Sequence, residues 1–599
     1  MNRRRLLALS ASAAALSLLP GMRLTARAAS VFRRRRPTER NWPSRAEWAG
    51  LNRATGGNLL AIESPLEACN ASQSACDAVF DDLKNPYWIG DQPGVTQTLG
   101  WVDAWQTQPS IYAVAATSAA DVAAAVDFAR DNDLRLVVKG GGHSYLGTSN
   151  APDSLLIWTR HMNDVVLHDS FTPKGCAATE GEAAVTLGAG CMWLQAYDAV
   201  TTKGGKYVQG GGCTTVGVAG LVQSGGFGSF SKHYGSAASS LLEAEVVTAD
   251  GHIRIANACT NSDLFWALKG GGGGTFGVVT KITLRLHPLP DFFGGVDFRV
   301  KAASDDAFKR LIGEFIEFYA AHLFGDRWGE QVSFRGDYTM NVGMVSYGYE
   351  TQAAKDVWEP FLAWIAQRSA DYALAYDPVI VSGPAQRLWD AAFLQKNIPS
   401  SIDVNTAAGA PPGEFWWSGD ADQVGQYLDA YESVWLPATL LQPANRGALS
   451  DAFFRASQSW GFSLHFNKGL AGAPPEAVAA ARDTATNPAV CDAFALAISA
   501  AGQGPSYPGI AGHEPDTVKG RRRRTAIHDC VNVLRSIGAA GSYVSESDYF
   551  EADWQRSYWG DNYNRLAQIK RRYDPTGLFF THHGVGSERW SADGFTRLS

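Results

Sequence analysis

Hydrophobic positions change their spacing several times along the chain, and each spacing predicts a different element. After Ser118, which can cap a helix, apolar residues recur as a buried helical stripe formed by Val122, Ala125, Val126 and Ala129. Asp131-Asn132-Asp133 is a turn, and residues 134–139 form a β-branched run typical of a strand. This strand leads directly into Gly140-Gly141-Gly142. We therefore expect the first glycine run at a strand end, where a sheet can direct the next side chain at a ligand.

Further apolar runs predict strands on both sides of a proline-rich break. Before the break, strands are predicted at residues 155–158, 165–168, 184–187, 243–249, 252–255 and 278–286, and helices at residues 190–203 and 262–269. Pro288-Leu289-Pro290 then breaks the chain, and aromatic-bearing strands such as residues 342–349 alternate with long helices beyond it. Regular structure is expected to begin near Ile111, after a loop-rich stretch at residues 42–105. The pattern predicts an α+β protein whose second domain is built on an antiparallel sheet.

The first residues have the pattern of an export signal. Arg3-Arg4-Arg5 precedes an apolar stretch at residues 6–19 and the cleavage-site pattern Ala26-Arg27-Ala28. Arg-Arg-x-Leu-Leu resembles the twin-arginine signal, which exports proteins already folded around a cofactor; an ordinary secretory signal is the alternative. Either signal predicts a protein that leaves the cytoplasm. No later segment is predicted to span a membrane.

Composition narrows the class without identifying the chemistry. The chain has 599 residues, of which 45% are hydrophobic and 19% charged, as in a globular protein of more than one domain. Its net charge of −7 gives no indication of nucleic-acid binding. The basic runs at residues 33–36 and 521–524 are interpreted as solvated charge in a linker or loop.

Two glycine runs carry the candidate chemistry. Gly140-Gly141-Gly142 ends in His143, and Gly210-Gly211-Gly212 ends in Cys213. Consecutive glycines let backbone N–H groups form an anion-binding concavity, and each run presents a nucleophile that can be alkylated. A loop histidine and a small packed cysteine are the alternatives. Together the two loops predict a flavin tethered twice. The spacing in Gly225-Gly226-Phe227-Gly228 does not match a Rossmann fingerprint, and the chain has no P-loop.

Beyond the signal, the chain resembles the berberine bridge enzyme-like flavoproteins of the vanillyl alcohol oxidase superfamily. The motifs that carry the resemblance are the His143 and Cys213 loops, Gly225-Gly226-Phe227-Gly228, residues 274–280, Trp559-Gly560, Asn562-Tyr563 and Tyr573-Asp574-Pro575. Residues 544–548 and 582–586 resemble an isoamyl-alcohol-oxidase-like branch.

The resemblance implies a two-domain fold that holds FAD along one domain and places its ring system at the interface with the other. His143 would carry the 8α-methyl group and Cys213 the C6 atom of the ring system. The other implied cofactor contacts are Gly140, Gly141, Gly142, Ser144, Gly212, Gly217, Gly220, Gly226, Gly228, Gly277, Val279, Asn562 and Tyr563. The implied parts are an export signal (1–28), a linker (29–40), an FAD-binding domain (41–290), a substrate domain (291–520) and a C-terminal segment returning to the FAD site (521–599).

An exported protein with eight cysteines is expected to contain disulfides. Cys69 and Cys76 lie close together in a polar stretch and are the first candidate pair. If Cys213 carries a flavin, five cysteines remain, so at least one should be free: Cys176, Cys191, Cys259, Cys491 and Cys530. No cysteine or histidine spacing suggests a metal site.

Oxidation of an alcohol or amine carbon requires a hydride acceptor and a base for the heteroatom proton. In the family a Tyr or a carboxylate facing the flavin is the base, and Tyr543 and Glu546 are the candidates here. Relatives often have Tyr-x-Asn at this point, whereas this chain has Ser545 in place of the Asn. Val216, three residues after Cys213, corresponds to a family position that gates oxygen, and a small Val there goes with oxidase activity.

The resemblance therefore implies an oxidase that acts on a small-molecule alcohol or related C–H donor and passes electrons to O2, giving H2O2. A dehydrogenase with another acceptor and a catalytically silent flavin-binding protein are the alternatives. The second domain offers a set of candidate pocket residues: Tyr347, Tyr349, Trp416, Trp417 and His465. Such a pocket would suit a sugar, a phenolic or another ring-bearing molecule, and the sequence does not choose among them.

Overall fold

The computed structural model describes residues 32–177 and 181–598. The predicted export signal lies outside these residues. The described part of the predicted linker packs against the C-terminal end: Arg34 is 2% exposed, and its guanidinium donates hydrogen bonds to the carbonyl oxygens of Gly577 and Leu578 at 2.5 and 3.0 Å. The interpretation of this basic run as solvated charge is therefore wrong for Arg34. The second basic run lies in a helix, where Arg523 forms an ion pair with the fully buried Asp429.

The described residues form 22 strands, which make up three large sheets and one small ribbon. In chain order they are β1 (Leu59–Ala61), β2 (Thr98–Trp101), β3 (Trp105–Gln106), β4 (Tyr112–Ala115), β5 (Arg135–Lys139), β6 (Ser154–Trp158), β7 (Val165–Phe171), β8 (Glu182–Gly188), β9 (Lys206–Val208), β10 (Leu241–Val247), β11 (Ile253–Asn257), β12 (Val278–Pro288), β13 (Phe292–Ala302), β14 (Trp328–Arg335), β15 (Thr339–Tyr347), β16 (Tyr372–Leu374), β17 (Val379–Pro384), β18 (Ile402–Val404), β19 (Phe415–Trp417), β20 (Gln426–Pro437), β21 (Phe462–His465) and β22 (Ala493–Gln503).

The α-helices in the same described ranges number 17. They are α1 (Arg45–Ala54), α2 (Gln73–Asp82), α3 (Pro86–Gly90), α4 (Ala119–Asp131), α5 (Trp193–Tyr197), α6 (Val218–Gln223), α7 (Ser231–Tyr234), α8 (Ser262–Leu268), α9 (Asp305–Phe318), α10 (Thr351–Ala366), α11 (Ala391–Asn397), α12 (Pro443–Ser459), α13 (Pro475–Arg482), α14 (Ala489–Asp492), α15 (Thr517–Arg535), α16 (Trp554–Trp559) and α17 (Tyr563–Tyr573). In the described ranges no helix combines the length and the apolar character needed to cross a membrane.

The first sheet presents the first glycine run. Its order is β1-β4-β6-β5, in which β4, β6 and β5 are parallel. Helix α4 connects β4 to β5; as predicted, Ser118 caps it and its apolar stripe is buried. Strand β5 ends at Lys139, so Gly140 follows at the carboxyl end of the sheet. The second sheet, β11-β10-β12-β8-β7 with β9 beside β12, is antiparallel.

The third sheet has ten strands in the order β16-β13-β15-β14-β21-β22-β20-β2-β3, with β17 beside β13. From β13 to β20 its pairings are antiparallel, as expected for the second domain. Helices α9, α10, α12 and α15 contribute to the hydrophobic core on one face. In β21, Phe462 and Leu464 point into that core, whereas Ser463 and His465 line a cavity on the other face.

Regular structure begins earlier than the sequence indicated. Helices α1 to α3 and strands β1 to β3 precede Ile111, so the expectation of a loop-rich start is wrong. Strand β2 pairs in parallel with β20 of the third sheet, although it lies within residues 41–290, the range predicted for FAD binding. Its partners are distant in sequence, which is why local periodicity did not reveal it.

The C-terminal segment packs against the loop between α8 and β12. Trp559 donates its indole N–H to the Gly270 carbonyl oxygen at 3.0 Å, and Lys570 donates to the carbonyl oxygens of Thr275 and Phe579 at 2.6 and 2.7 Å. The described residues contain two disulfides. Cys69–Cys76 confirms the predicted pair, and Cys176–Cys259 is the second. Among the described residues Cys191, Cys213, Cys491 and Cys530 are free.

Candidate active site

One large cavity lies between the two glycine loops and the third sheet. Its volume is about 1870 Å³, which exceeds the usual size of a pocket for one small ligand and leaves room for a cofactor and a substrate. Most of the predicted site residues line it: Gly140, Gly141, Gly142, His143, Ser144, Gly212, Cys213, Val216, Gly217, Gly220, Gly277, Val279, Tyr543 and Glu546. The fold therefore brings together side chains that lie about 400 positions apart in the sequence.

The two glycine loops touch through their backbones. A Cβ atom at Gly141 would lie 2.7 Å from the Gly217 nitrogen, and one at Gly217 would lie 2.8 Å from the Gly141 nitrogen. Neither position has space for a side chain. This contact fixes the His143 loop against the Cys213 loop.

The Cys213 loop is also held by α5 and by strand β19 of the two-stranded ribbon. Tyr197 donates its hydroxyl to the Gly211 carbonyl oxygen at 2.6 Å, and Trp417 donates its indole N–H to the Gly212 carbonyl oxygen at 3.1 Å. The Thr214 hydroxyl donates to the Phe415 carbonyl oxygen at 2.7 Å. Hydrogen bonds therefore hold the residues that precede and follow Cys213 in the chain.

His143 is held as a neutral imidazole. Its Nε2 lies 3.2 Å from the Thr215 hydroxyl oxygen. Burial, with a smaller contribution from the charge of Lys139, lowers the pKa of His143 to about 4. A neutral ring nitrogen is the form that can act as a nucleophile.

The lining residues fit FAD. A Cβ atom at Gly220 would meet no protein atom within 4 Å, so this glycine leaves free space on the cavity wall. Gln223 Oε1 and Thr275 Oγ1 are buried, have no hydrogen-bond partner, and belong to lining residues that can bind a polar ligand. His143 and Cys213 would hold the ring system, and the glycine loops would hold the pyrophosphate with their N–H groups.

Four predicted cofactor contacts do not line the cavity. The Gly226 N–H donates to the Tyr543 hydroxyl at 3.2 Å, and the Gly228 N–H donates to the Ser231 hydroxyl at 2.9 Å. Asn562 donates to the Thr486 carbonyl oxygen at 2.8 Å. Tyr563 donates to Glu588 at 2.7 Å. In the structure these residues support neighbouring segments.

The two candidate bases differ in their surroundings. Glu546 forms an ion pair with Lys468, whose ammonium contacts both carboxylate oxygens. Tyr543 is buried against Phe227, with ring centroids 5.2 Å apart. Burial and the nearby charge of Glu546 raise the pKa of the Tyr543 hydroxyl. At neutral pH the phenol therefore keeps its proton.

Sequence reasoning missed two carboxylates in the cavity. Asp420 lies against the Cys213 thiol, and burial raises the pKa of its carboxyl group. Glu330 has a positive φ of 61°, which is rare in a residue other than glycine, and it accepts a hydrogen bond from Ser229. Burial also raises the pKa of Glu330. No local motif marks either residue.

The aromatic candidates divide into two groups. Trp416, Trp417 and His465 line the cavity. Tyr347 instead stacks on His233 with centroids 3.9 Å apart, and Tyr349 stacks on Trp328 at 5.5 Å. The cavity also has an aromatic pair that was not predicted, Tyr145 and Tyr431, with centroids 4.9 Å apart.

Comparisons with known proteins identify related chains. Residues 110–257 match the FAD binding domain family, and residues 542–586 match the family described as berberine and berberine like. The chain is 32% identical to the FAD-linked oxidoreductase malF of Malbranchea aurantiaca, an alignment that covers 94% of each chain.

Solved structures share the whole fold. The VAO-type flavoprotein MtVAO615 from Myceliophthora thermophila C1 is similar with a TM-score of 0.76 and 27% identity, covering 94% of this chain and 99% of that one. The glucooligosaccharide oxidase of Acremonium strictum, described with a 6-S-cysteinyl, 8α-N1-histidyl FAD, is similar in fold with a TM-score of 0.59 and 19% identity, covering 87% of this chain and 99% of that one.

Proposed function

This chain belongs to the berberine bridge enzyme-like FAD-linked oxidoreductases of the vanillyl alcohol oxidase type, and we propose that it is an exported oxidase with FAD bound covalently to His143 and Cys213. When bound, FAD would accept a hydride from a small-molecule alcohol or related C–H donor and pass the electrons to O2, giving H2O2.

The observation that carries the proposal is the shared position of the two nucleophiles. His143 and Cys213 come from different glycine loops, both line one cavity, and backbone contact holds their loops together. Such an arrangement suits two attachments to one rigid ring system. The other predicted FAD contacts that line the cavity are part of the same proposal.

Two observations support Glu546 as the proton acceptor. It lines the cavity, and the Lys468 ammonium contacts both of its carboxylate oxygens. Tyr543 lines the same wall, but its raised pKa keeps the hydroxyl protonated, so we assign it to orienting the bound molecule. Val216 also lines the cavity, which is compatible with its proposed role in oxygen access.

Trp416, Trp417, Tyr145 and Tyr431 support a ring-bearing substrate, because flat apolar faces and polar edges suit a sugar or a phenolic. Export is supported by the two disulfides, which persist in oxidising compartments. The isoamyl-alcohol-oxidase-like branch stays a prediction.

Mass spectrometry of protease-digested, denatured protein tests the attachment. We expect flavin on the peptides that contain His143 and Cys213, and H143A and C213A should each remove it from one peptide only. Absence of flavin from both wild-type peptides, in protein made with ample riboflavin, would overturn the covalent proposal.

Anaerobic titration with sugars and primary alcohols tests turnover. Bleaching of the flavin absorbance by a donor, followed by rapid recolouring with air and release of H2O2, is the oxidase result. Bleaching with slow recolouring would indicate a dehydrogenase with another acceptor. No bleaching by any donor would favour a flavin-binding protein without turnover.

A further inference from the structure

We propose that Asp420 accepts the proton of the Cys213 thiol when the thioether to the flavin forms. This inference rests on the proposed function, because it concerns how the second attachment is made. It assigns a role to a residue that has no part in the sequence motifs.

The backbone that precedes Asp420 is hydrogen-bonded to the Cys213 loop. Strand β19 and the residues after it follow one wall of the cavity, and hydrogen bonds join them to both neighbours of Cys213. Thr214 donates to the Phe415 carbonyl oxygen at 2.7 Å, and Trp417 donates to the Gly212 carbonyl oxygen at 3.1 Å. Asp420 follows Trp417 by three residues and lines the same cavity as Cys213, close enough for its charge to raise the pKa of the thiol. The segment that leads into Asp420 is therefore fixed relative to the Cys213 loop.

Cys213 needs a proton acceptor. Burial and the charge of Asp420 raise the pKa of the thiol, so the thiolate is scarce at neutral pH. The thiolate is the nucleophilic form of cysteine. A carboxylate in contact with the thiol can take the proton as the sulfur attacks. Burial raises the pKa of Asp420 as well, which makes this carboxylate a better proton acceptor than one in water.

The other nearby carboxylates are engaged elsewhere. Ser229 donates a hydrogen bond to Glu330, and Lys468 contacts both oxygens of Glu546. Lys468 also contributes a positive charge that lowers the pKa of the Cys213 thiol. Among the described residues, Asp420 is therefore the carboxylate best placed to act on Cys213.

The covalent step balances with reagents that the proposed function already uses. The bond from Cys213 Sγ to the ring carbon forms, and the carbon–hydrogen bond at that position breaks. Asp420 takes the thiol proton. The two electrons, with two protons, leave in O2, which is reduced to H2O2. One of these two protons is the thiol proton that Asp420 accepted, and the other is the hydrogen lost from the ring carbon.

Peptide mass spectrometry on D420N tests the assignment. We expect purified D420N to carry flavin on His143 but on only a small fraction of Cys213, because a general base typically contributes about 10²-fold or more to a rate. Flavin on His143 reports that the cavity is intact. D422N, two residues away and exposed on the wall of the same cavity, is the matched control and should carry both attachments, as should D420E.

A pH shift separates proton transfer from loop geometry. Incubation of the D420N holoenzyme in air at about pH 10 should let the thioether form, since hydroxide then removes the thiol proton. If D420N carries as much flavin on Cys213 as the wild type at neutral pH, the role of Asp420 is overturned but the double attachment is not. The same conclusion follows if D420N lacks flavin on Cys213 at high pH as well and D420E also lacks it. Wild-type protein without flavin on Cys213 would overturn the proposed double attachment and this inference together.

Discussion

His143 combines a nucleophilic nitrogen with surroundings that disfavour its protonation. Its pKa is lowered to about 4 from an ordinary value near 6.5, chiefly by burial. Between pH 6.5 and 4 an ordinary histidine would be mostly protonated, whereas His143 stays neutral. Its ability to bond to the flavin should therefore persist to lower pH than that of an exposed histidine.

This difference gives a pH prediction. In C213A, where only one attachment can form, we expect the rate of flavin attachment to His143 to be constant from pH 7 to about 5 and to fall as the pH drops through about 4. The rate is measured from the flavin-bearing peptide after FAD is added to protein made without riboflavin. A rate that halves near pH 6.5 would contradict the assigned surroundings of His143.

The candidate bases give a second prediction. E546Q should slow anaerobic flavin reduction by the substrate about 10²- to 10³-fold, because the amide cannot accept the proton. Y543F should reduce the rate less, since it removes a hydroxyl that orients the bound molecule and accepts the Gly226 N–H, and leaves the proton acceptor in place. Stopped-flow absorbance measures both rates.

E551Q is the matched control for this comparison, because Glu551 is not among the residues that line the cavity. Its reduction rate should equal that of the wild type. A larger loss in Y543F than in E546Q would instead make Tyr543 the proton acceptor.

Candidate site residues could be predicted from the sequence where the residues next to them form a recognisable motif. His143 and Cys213 follow glycine runs, and both lie where a flavin could meet them. Asp420 and Glu330 follow no pattern, because hydrogen bonds from β19 to the distant Cys213 loop place the first and a rare backbone angle places the second. Asn562 and Tyr563 belong to a recognisable motif, yet their side chains contact Thr486 and Glu588 outside the cavity. A motif thus indicates that a segment matters without showing which side chain faces the ligand.

At the scale of helices and strands, the local spacing of hydrophobic residues predicted the elements that are long or that end at a glycine. Helix α4 and strand β5 have clear periodicity and a cap. The predicted helix at residues 190–203 is instead α5 followed by a π-helical turn, Asp198–Lys203. Strand β2 has four residues and is defined by its pairing with β20. Short elements that depend on distant partners have too little local pattern to be predicted.

Substitutions at Gly217, which caps α6, and at Gly220, within α6, test whether these glycines hold the loops together or make room for FAD. In G217A, the new methyl group would press on the Gly141 backbone, so we expect a loss of stability of about 1–3 kcal/mol even without FAD. In G220A, the methyl group meets no protein atom, and an alanine inside a helix should leave the protein without FAD as stable or up to about 1 kcal/mol more stable.

The two variants should nevertheless both bind less FAD, G217A because its loops are displaced and G220A because the methyl group occupies cavity space. Thermal unfolding of protein made without riboflavin, and flavin content per chain after FAD is added, distinguish the two effects. Full FAD loading in G220A would show that the cofactor does not lie along this face of α6.

At the scale of the whole molecule, buried lysines join parts that are remote in sequence. Lys232 is 1% exposed and donates to the carbonyl oxygens of Gly469, Ala471 and Phe494 at 2.5, 2.9 and 3.0 Å. These contacts tie α7, beside the glycine loops, to the chain that connects β21 and β22 and to the start of β22; both strands are central in the third sheet. Burial lowers the pKa of Lys232 to about 7. The cavity walls are therefore held together by polar contacts as well as by apolar packing.

The two disulfides should contribute unequally to stability, because they close loops of different length. Cys176–Cys259 spans 83 positions and Cys69–Cys76 spans 7. The chain-entropy relation gives about 4.5 kcal/mol for the longer loop and about 2.4 kcal/mol for the shorter one. We therefore expect the double variant C176S/C259S to unfold at lower urea concentration than C69S/C76S.

None of the four cysteines lines the cavity, so both variants should retain wild-type flavin content. Equal losses of stability would mean that unfolded-state loop entropy does not set the contribution of these bonds. Loss of flavin from C176S/C259S would mean that this bond, between the segments that follow β7 and β11, helps to position the glycine loops.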